Sequence, residues 1–226
     1  MSKKYNFEDS LAIIDEIKNL NIPEFIYTDG IANFINNRNS PMFAKAACLC
    51  VKFEGVEESE IKIYACLYSE ISSIMKNADT HLITQYEGNT LISIYNTRLK
   101  INIEELIDIA AKINSITEII TYKFSKELGP KKISACIGIH YGNTYFVNGD
   151  CAEGTKSIIA YGPSRNEAIK LAKTSNSNSG KTLISSSVYQ NLSDSYQKFF
   201  NHNTDTDTYT ASLINTVMSK WLEKVK

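Results

Sequence analysis

Residues 131–173 read KKISACIGIHYGNTYFVNGDCAEGTKSIIAYGPSRNEAIKLAK, and the reading of this stretch decides the fold. In its first part Ile133, Ala135, Ile137 and Ile139 alternate with Ser134, Cys136 and Gly138, and Tyr141-Gly142 closes the run. That pattern predicts a buried strand over 132–140 leading into a tight turn. A second strand-like run lies near 143–148, followed by a loop with Gly149 and Gly154 and a short apolar run at 157–161. Gly162-Pro163-Ser164 then opens a helical pattern to about 173, with Ser164 as its N-cap, Glu167 three residues later, and Ala168, Leu171 and Ala172 on one face. Asn166 and Lys170, four apart, fall together on the first turns of that helix.

Upstream, residues 44–53 (AKAACLCVKF) form a strand, Gly55 follows, and Glu57-Glu58 open a helix to about Lys76. Ile61, Tyr64, Tyr68, Ile71 and Met75 supply its apolar face at helical spacing. Residues 81–96 carry two strand-like runs around Gly88-Asn89, a hairpin signal. A second long helix runs from Ile103 to about Lys126, with Leu106, Ala110, Ile113, Thr117 and Ile120 aligned, and Gly129-Pro130 ends it. Downstream come a polar loop at 174–180, a strand over Thr182–Ser186, a short helix at Val188-Tyr189, a polar turn at 201–208, and a final strand plus helix. Residues 6–19 read as a short amphipathic helix, and the chain from there to about 43 as a connector. The order β-α-β-β-α-β predicts an α+β protein: a ferredoxin-like core with added strands and helices, its antiparallel sheet covered by helices on one face. The expected organisation is an N-terminal helix and connector over 1–43, a main domain over 44–192, and an extension over 193–226 packed on the same domain.

Composition limits the function classes. At 226 residues, 43% hydrophobic and 22% charged, the chain has the make-up of a globular protein with one sizeable core. A net charge of -1 gives no general attraction to nucleic acid or to an anionic membrane, so neither is an expected partner. No apolar run approaches the roughly 20 residues of a membrane span, and the first residues lack a signal-peptide core, which predicts a cytoplasmic protein. The five cysteines, Cys48, Cys50, Cys66, Cys136 and Cys151, form no CxxC pair and mostly sit in apolar runs. They read as free core thiols in a reducing compartment, not as a metal site.

CIGIHYG (136–142) and YGPSRNEAIKL (161–171), with KIYACLYSEISSIM (62–75), QYEGNTLISIYNT (85–97), IDIAAKINSI (107–116) and KTLISSSVYQNL (181–192), resemble a class III nucleotidyl cyclase domain. In particular the set is similar to the pyrimidine cyclases of bacterial Pycsar anti-phage systems, over roughly residues 44–192 in the same order. The resemblance implies a head-to-tail homodimer with active sites at the interface. It also implies cyclisation of a nucleoside triphosphate with two divalent cations, Mg²⁺ or Mn²⁺. Attack of the 3′-oxygen on the α-phosphate builds negative charge that two carboxylate-held cations stabilise, while an Asn and a cation position ribose and phosphates.

Carried over residue by residue, the resemblance makes Asn166 and Lys170 the catalytic pair, with Lys170 where many cyclases have Arg. It places Gln85 and Ile159 near the base-reading positions. The first metal-binding Asp is expected where this chain has Lys52, and the second where it has Asn89, so both metal carboxylates are substituted. Glu54 and Glu87 each lie two residues from the expected acids and become the metal ligands if the strands shift register by two, which keeps the face. Without a metal, Lys52 and Asn89 become direct contacts to the nucleotide. Other readings of these residues are plain ones: Asn166 capping a helical turn, Lys170 and Lys52 solvated, His140 a structural polar contact, and Asp194, Asp205 and Asp207 solvated loop acids.

Three functions are consistent with these residues. The first is a degenerate cyclase-homology protein that dimerises and binds a nucleotide without turning it over, needing no metal. The second is an active cyclase making a cyclic pyrimidine nucleotide, cCMP or cUMP. The third is a regulatory half that pairs with an intact cyclase chain and supplies Asn166 and Lys170 in trans.

Overall fold

A computed structural model describes residues 18, 24–25, 42–57, 59–150, 156–175 and 182–226. The strands are β1 (Glu24–Phe25), β2 (Met42–Glu54), β3 (His81–Glu87), β4 (Thr90–Tyr95), β5 (Ser134–Asp150), β6 (Lys156–Tyr161), β7 (Thr182–Ser185), β8 (Asn201–Asn203) and β9 (Thr208–Ala211). The helices are α1 (Ile61–Lys76), α2 (Lys100–Lys123), α3 (Ser125–Leu128), α4 (Pro163–Thr174), α5 (Ser186–Tyr189), α6 (Asp194–Gln197) and α7 (Thr216–Val225). One mixed sheet runs β3-β4-β2-β5-β7-β9-β8, with β1 on β2 and β6 on β5. The inner order β3-β4-β2-β5 is that of a ferredoxin-like core, so the expected α+β class holds. Two pairings are parallel, β1 with β2 and β5 with β7, where an antiparallel sheet was expected. All of the predicted helix at 6–19 except Lys18, together with Cys151 and most of the loop at 174–180, lies outside the described residues.

β2 is apolar at nearly every position because both of its faces are covered. Ala47, Leu49, Val51 and Phe53 join Leu67, Ile71, Leu106, Ala110 and Ile113 in the larger core, under α1 and α2. Ala44, Ala46, Cys48 and Cys50 join Ile92, Ile94, Phe146, Ala160, Ala168 and Ala172 in a second core, under α4. The expectation of helices on one face is therefore corrected: α4 covers the other. Gly138 makes that possible, since a Cβ there would stand 2.2 Å from the Ala168 carbonyl oxygen and 2.4 Å from the Ala172 nitrogen.

Three local expectations change. Tyr141-Gly142 does not turn; β5 continues through it because β2 offers partners along the whole length, Gly142 facing Ala46. A side chain at Gly142 would meet the His140 ring at 2.8 Å. α1 starts at Ile61 rather than Glu57, because the Glu57 N–H is taken by the Glu60 carboxylate at 2.6 Å. Ile63 and Leu67 then face the core while Ile61 stays 73% exposed, so the predicted stripe is out of phase in its first turn. At α4, Gly162 and not Ser164 precedes the first helical residue, with Pro163 in the first-turn position that suits its fixed φ. Ser164 is buried and donates to the Ala46 carbonyl at 3.1 Å, fastening the helix to the sheet.

Candidate functional site

The ends of β2, β3 and α4 gather most of the residues singled out in the sequence. Lys52 and Glu54 stand on the α4 side of β2 by strand alternation, and Lys52 Nζ lies 3.0 Å from Glu54 Oε1. Gln85 and Glu87 stand on the same side of β3, opposite Ile92 and Thr90 of β4. From the first turn of α4, Arg165 reaches across to them, its Nη2 donating to Glu87 Oε1 at 2.7 Å. Arg165 was not anticipated. Its one signal was its place beside Asn166, and nothing local tells that β3, some eighty positions earlier, comes within reach.

The Gln85 carboxamide sits on the edge of β6. With its nitrogen toward the Ala160 carbonyl (3.3 Å) and its oxygen toward the Ala160 N–H (3.2 Å), it makes two backbone hydrogen bonds. Turned the other way it accepts from Arg165 Nε at 3.3 Å. We assign the first orientation, which makes two bonds where the other makes one and leaves Arg165 to Glu87. The sheet therefore curls far enough for β3 to touch β6. Gln85 meets the residue beside Ile159, and Ile159 is itself 46% exposed.

Asn89 ends the β3–β4 turn, where Gly88 takes φ 53. Its Nδ2 donates to the Phe53 carbonyl at 2.9 Å, its Oδ1 accepts from Thr90 Oγ1 at 3.3 Å, and its carbonyl accepts the Phe53 N–H at 3.0 Å. The Tyr68 hydroxyl donates to the Gly88 carbonyl beside it. The Asn89 side chain thus ties the hairpin to the end of β2.

The electrostatics follow from burial. The Cys50 thiol is pushed up to about 12 by burial, with Arg165 opposing and Glu87 adding. Cys136 is pushed up to about 11 by burial, reinforced by Glu54. Cys48, also buried, is raised for the same reason. Cys48, Cys50, Cys66 and Cys136 are free thiols, as expected, and the three buried ones are held in their protonated form.

A divalent cation at positions 52 and 89 meets poor ligands. Position 52 offers an ammonium, and the Asn89 amide is spent on the chain's own backbone and on Thr90. Glu54 and Glu87 are each engaged by a cation of this chain. Among the described residues no three His, Cys, Asp or Glu side chains are grouped to hold a metal. Among the described residues, positions 52, 54, 87 and 89 as arranged offer a two-metal centre no carboxylate free of a cation of the chain itself.

Asn166 and Lys170 are exposed on α4, and Lys170 Nζ lies 3.5 Å from Glu167. Glu167 thus pairs with Lys170 instead of closing a capping box. Lys170 edges a cleft of about 460 Å³ with His140, Glu167, Ser185, Ser187 and Asp207. The His140 Nδ1 is buried without a partner, while its carbonyl accepts from Ser164 at 3.4 Å. Asp207, with φ 48, accepts from Ser186 at 2.8 Å and lies 3.2 Å from His202.

No family model and no curated protein matches the sequence. Solved structures do match the fold. A class III adenylyl cyclase-like ATP-binding protein from Pseudomonas aeruginosa is 13% identical with a TM-score of 0.70, covering 95% of this chain and 48% of its own length. The chain thus spans about half of that protein. The adenylyl cyclase CyaB from P. aeruginosa is 14% identical with a TM-score of 0.59, over 72% of this chain and 85% of its own. The guanylyl cyclase Cya2 is 10% identical with a TM-score of 0.60, over 77% of this chain and 94% of its own. The chain shares the fold of these class III cyclase-like structures. No helix among the described residues is long and apolar enough to cross a membrane.

Proposed function

We propose that this chain is a degenerate nucleotidyl cyclase-homology protein, which dimerises and binds a nucleoside triphosphate without cyclising it. Its setting in this reading is cytoplasmic anti-phage signalling of the Pycsar kind. One observation carries the proposal: where the resemblance expects metal carboxylates, Lys52 is paired with Glu54 and Asn89 is spent on Phe53. One of the fold neighbours is itself described as a cyclase-like ATP-binding protein. Binding falls to charge and shape. Lys52 and Lys170 meet phosphate charge, Asn166 meets the ribose, and Gln85 with Ile159 of β6 borders the base. The unit is residues 44–192, with 193–226 built onto it through β9 on β7 and α7 on α2.

A second reading has its own support. Asn166 and Lys170 are exposed on α4 while positions 52 and 89 lack acids, as suits a regulatory half that lends the pair in trans to an intact cyclase chain.

The test is incubation of the purified chain with each of the four nucleoside triphosphates and excess Mn²⁺, read by mass spectrometry, beside the Lys52→Asp/Asn89→Asp variant. Binding without product in the native chain supports the proposal. Cyclic product from it, lost in Glu54→Ala, overturns the proposal in favour of an active cyclase using Glu54 and Glu87. Product only after mixing with an intact cyclase chain, and lost in Asn166→Ala, identifies the regulatory half.

A further inference from the structure

Helix α7 packs on α2 with Leu222 buried, and the Tyr122 hydroxyl of α2 donates to the Val225 carbonyl at 2.5 Å. Its other apolar side chains do not follow Leu222 inward. Ile214, just before the helix, is 55% exposed, Val217 76%, Trp221 41% and Val225 38%. Val217, Trp221 and Val225, four apart, fall in one row along the outside of the helix, and Ile214 precedes them just before its cap. Lysines border the row: Lys220 and Lys224 on one flank, Lys123 of α2 with its ammonium 5.3 Å from the Trp221 ring on the other, and Lys226 beyond. Glu223 is the one acidic residue of α7 and falls on the far side of the helix.

We infer that this row is a docking surface for an anionic lipid bilayer. An amphipathic helix with tryptophan and aliphatic side chains on one face and lysines at its margins is built to lie in the headgroup region. Charge decides the occupant. Pairing of two such rows from two copies sets lysine against lysine, and four side chains fall well short of the roughly 800 Å² per partner that a stable dimer uses. An anionic surface meets every lysine favourably, each adding attraction within a Debye length. The overall charge of -1 does not register this, because these lysines are gathered on α7 and the end of α2. The contact is peripheral and reversible, as expected for so small an inserted area.

Trp221 is the only tryptophan in the chain, so its emission reports on this surface directly. The purified chain is titrated with vesicles of phosphatidylglycerol and phosphatidylcholine, and separately with phosphatidylcholine alone. The expected result is a blue shift and co-sedimentation with the anionic vesicles only, reversed in about 1 M salt, where the Debye length is about 3 Å. Val217→Asp and Lys220→Glu/Lys224→Glu are each expected to weaken that partition about tenfold, with unchanged far-UV circular dichroism, since these side chains are exposed. Trp221 emission unmoved by either vesicle overturns the inference. So does equal binding to both vesicles. A blue shift that grows with protein concentration in the absence of lipid overturns it too, and assigns the row to a protein contact.

Discussion

Arg165 Nη2 donates to Glu87 Oε1 at 2.7 Å across 78 positions of sequence, joining the first turn of α4 to the end of β3. The guanidinium side is 18% exposed and the carboxylate side 60%, so solvent screens half of the pair. The coupling energy in an Arg165→Ala/Glu87→Ala cycle is therefore expected near 0.5 kcal/mol by urea unfolding. Arg165→Ala alone costs more than Glu87→Ala, because it also removes the apolar stem of a side chain that is only 18% exposed. A coupling above about 2 kcal/mol would show a pair far better shielded than this exposure allows.

Asn89 is a structural amide, and the cost of a carboxylate there follows from its donor. Asn89→Ala leaves the Phe53 carbonyl without its side-chain donor and is expected to cost about 1 kcal/mol. Asn89→Asp costs more, because it turns a carboxylate oxygen toward a carbonyl oxygen. If positions 52 and 89 are former metal positions, Mn²⁺ raises the melting temperature of Lys52→Asp/Asn89→Asp and leaves the native chain unmoved. Thermal unfolding with and without the ion reads both. Equal shifts in the two proteins would place the ion elsewhere.

What the sequence disclosed was local. Alternation at 133–139, the Gly88-Asn89 turn and the α2 stripe through Ile113 and Ile120 are short-range periodicities, and each names its element correctly. What it concealed was tertiary. Gln85 and Glu87 could be placed on one face of β3, but the curl that brings Ala160 and Arg165 to them rests on contacts across the second core. Gly142 misled because glycine marks both turns and strand positions crowded by a neighbour, and here the neighbour is the His140 ring. Pro163 was readable as a first-turn proline, which would have moved the cap from Ser164 to Gly162.

Gly138 has the tightest tolerance in the second core. A methyl group there collides with the backbone of α4, which cannot yield as a side chain tip does. Gly138→Ala is expected to cost about 3 kcal/mol, at the upper end of overpacking penalties. Gly88→Ala, with φ 53 and nothing within 4 Å of the new Cβ, costs about 1 kcal/mol from backbone strain alone. Urea unfolding of the two variants separates collision from conformation, and equal costs would refute the close approach of α4.

Stability should fall on the acid side of neutrality because of two histidines. Burial holds His140 below the usual 6.5, with Glu167 opposing, and burial holds His81 below the same value, with Lys76 adding. A folded-state pKa below the unfolded one means that the unfolded chain binds the extra proton first. The contribution is fully present above about pH 6.5, the unfolded value, and is lost as pH falls through the lower folded values. His140→Gln and His81→Gln are each expected to flatten the pH dependence of urea unfolding between about pH 6.5 and 5.5, above the range where carboxylates titrate. Glu167→Gln works in the opposite sense, removing the charge that favours protonated His140 and steepening the fall. An unchanged slope in both histidine variants would mean that neither ring resists protonation in the folded chain.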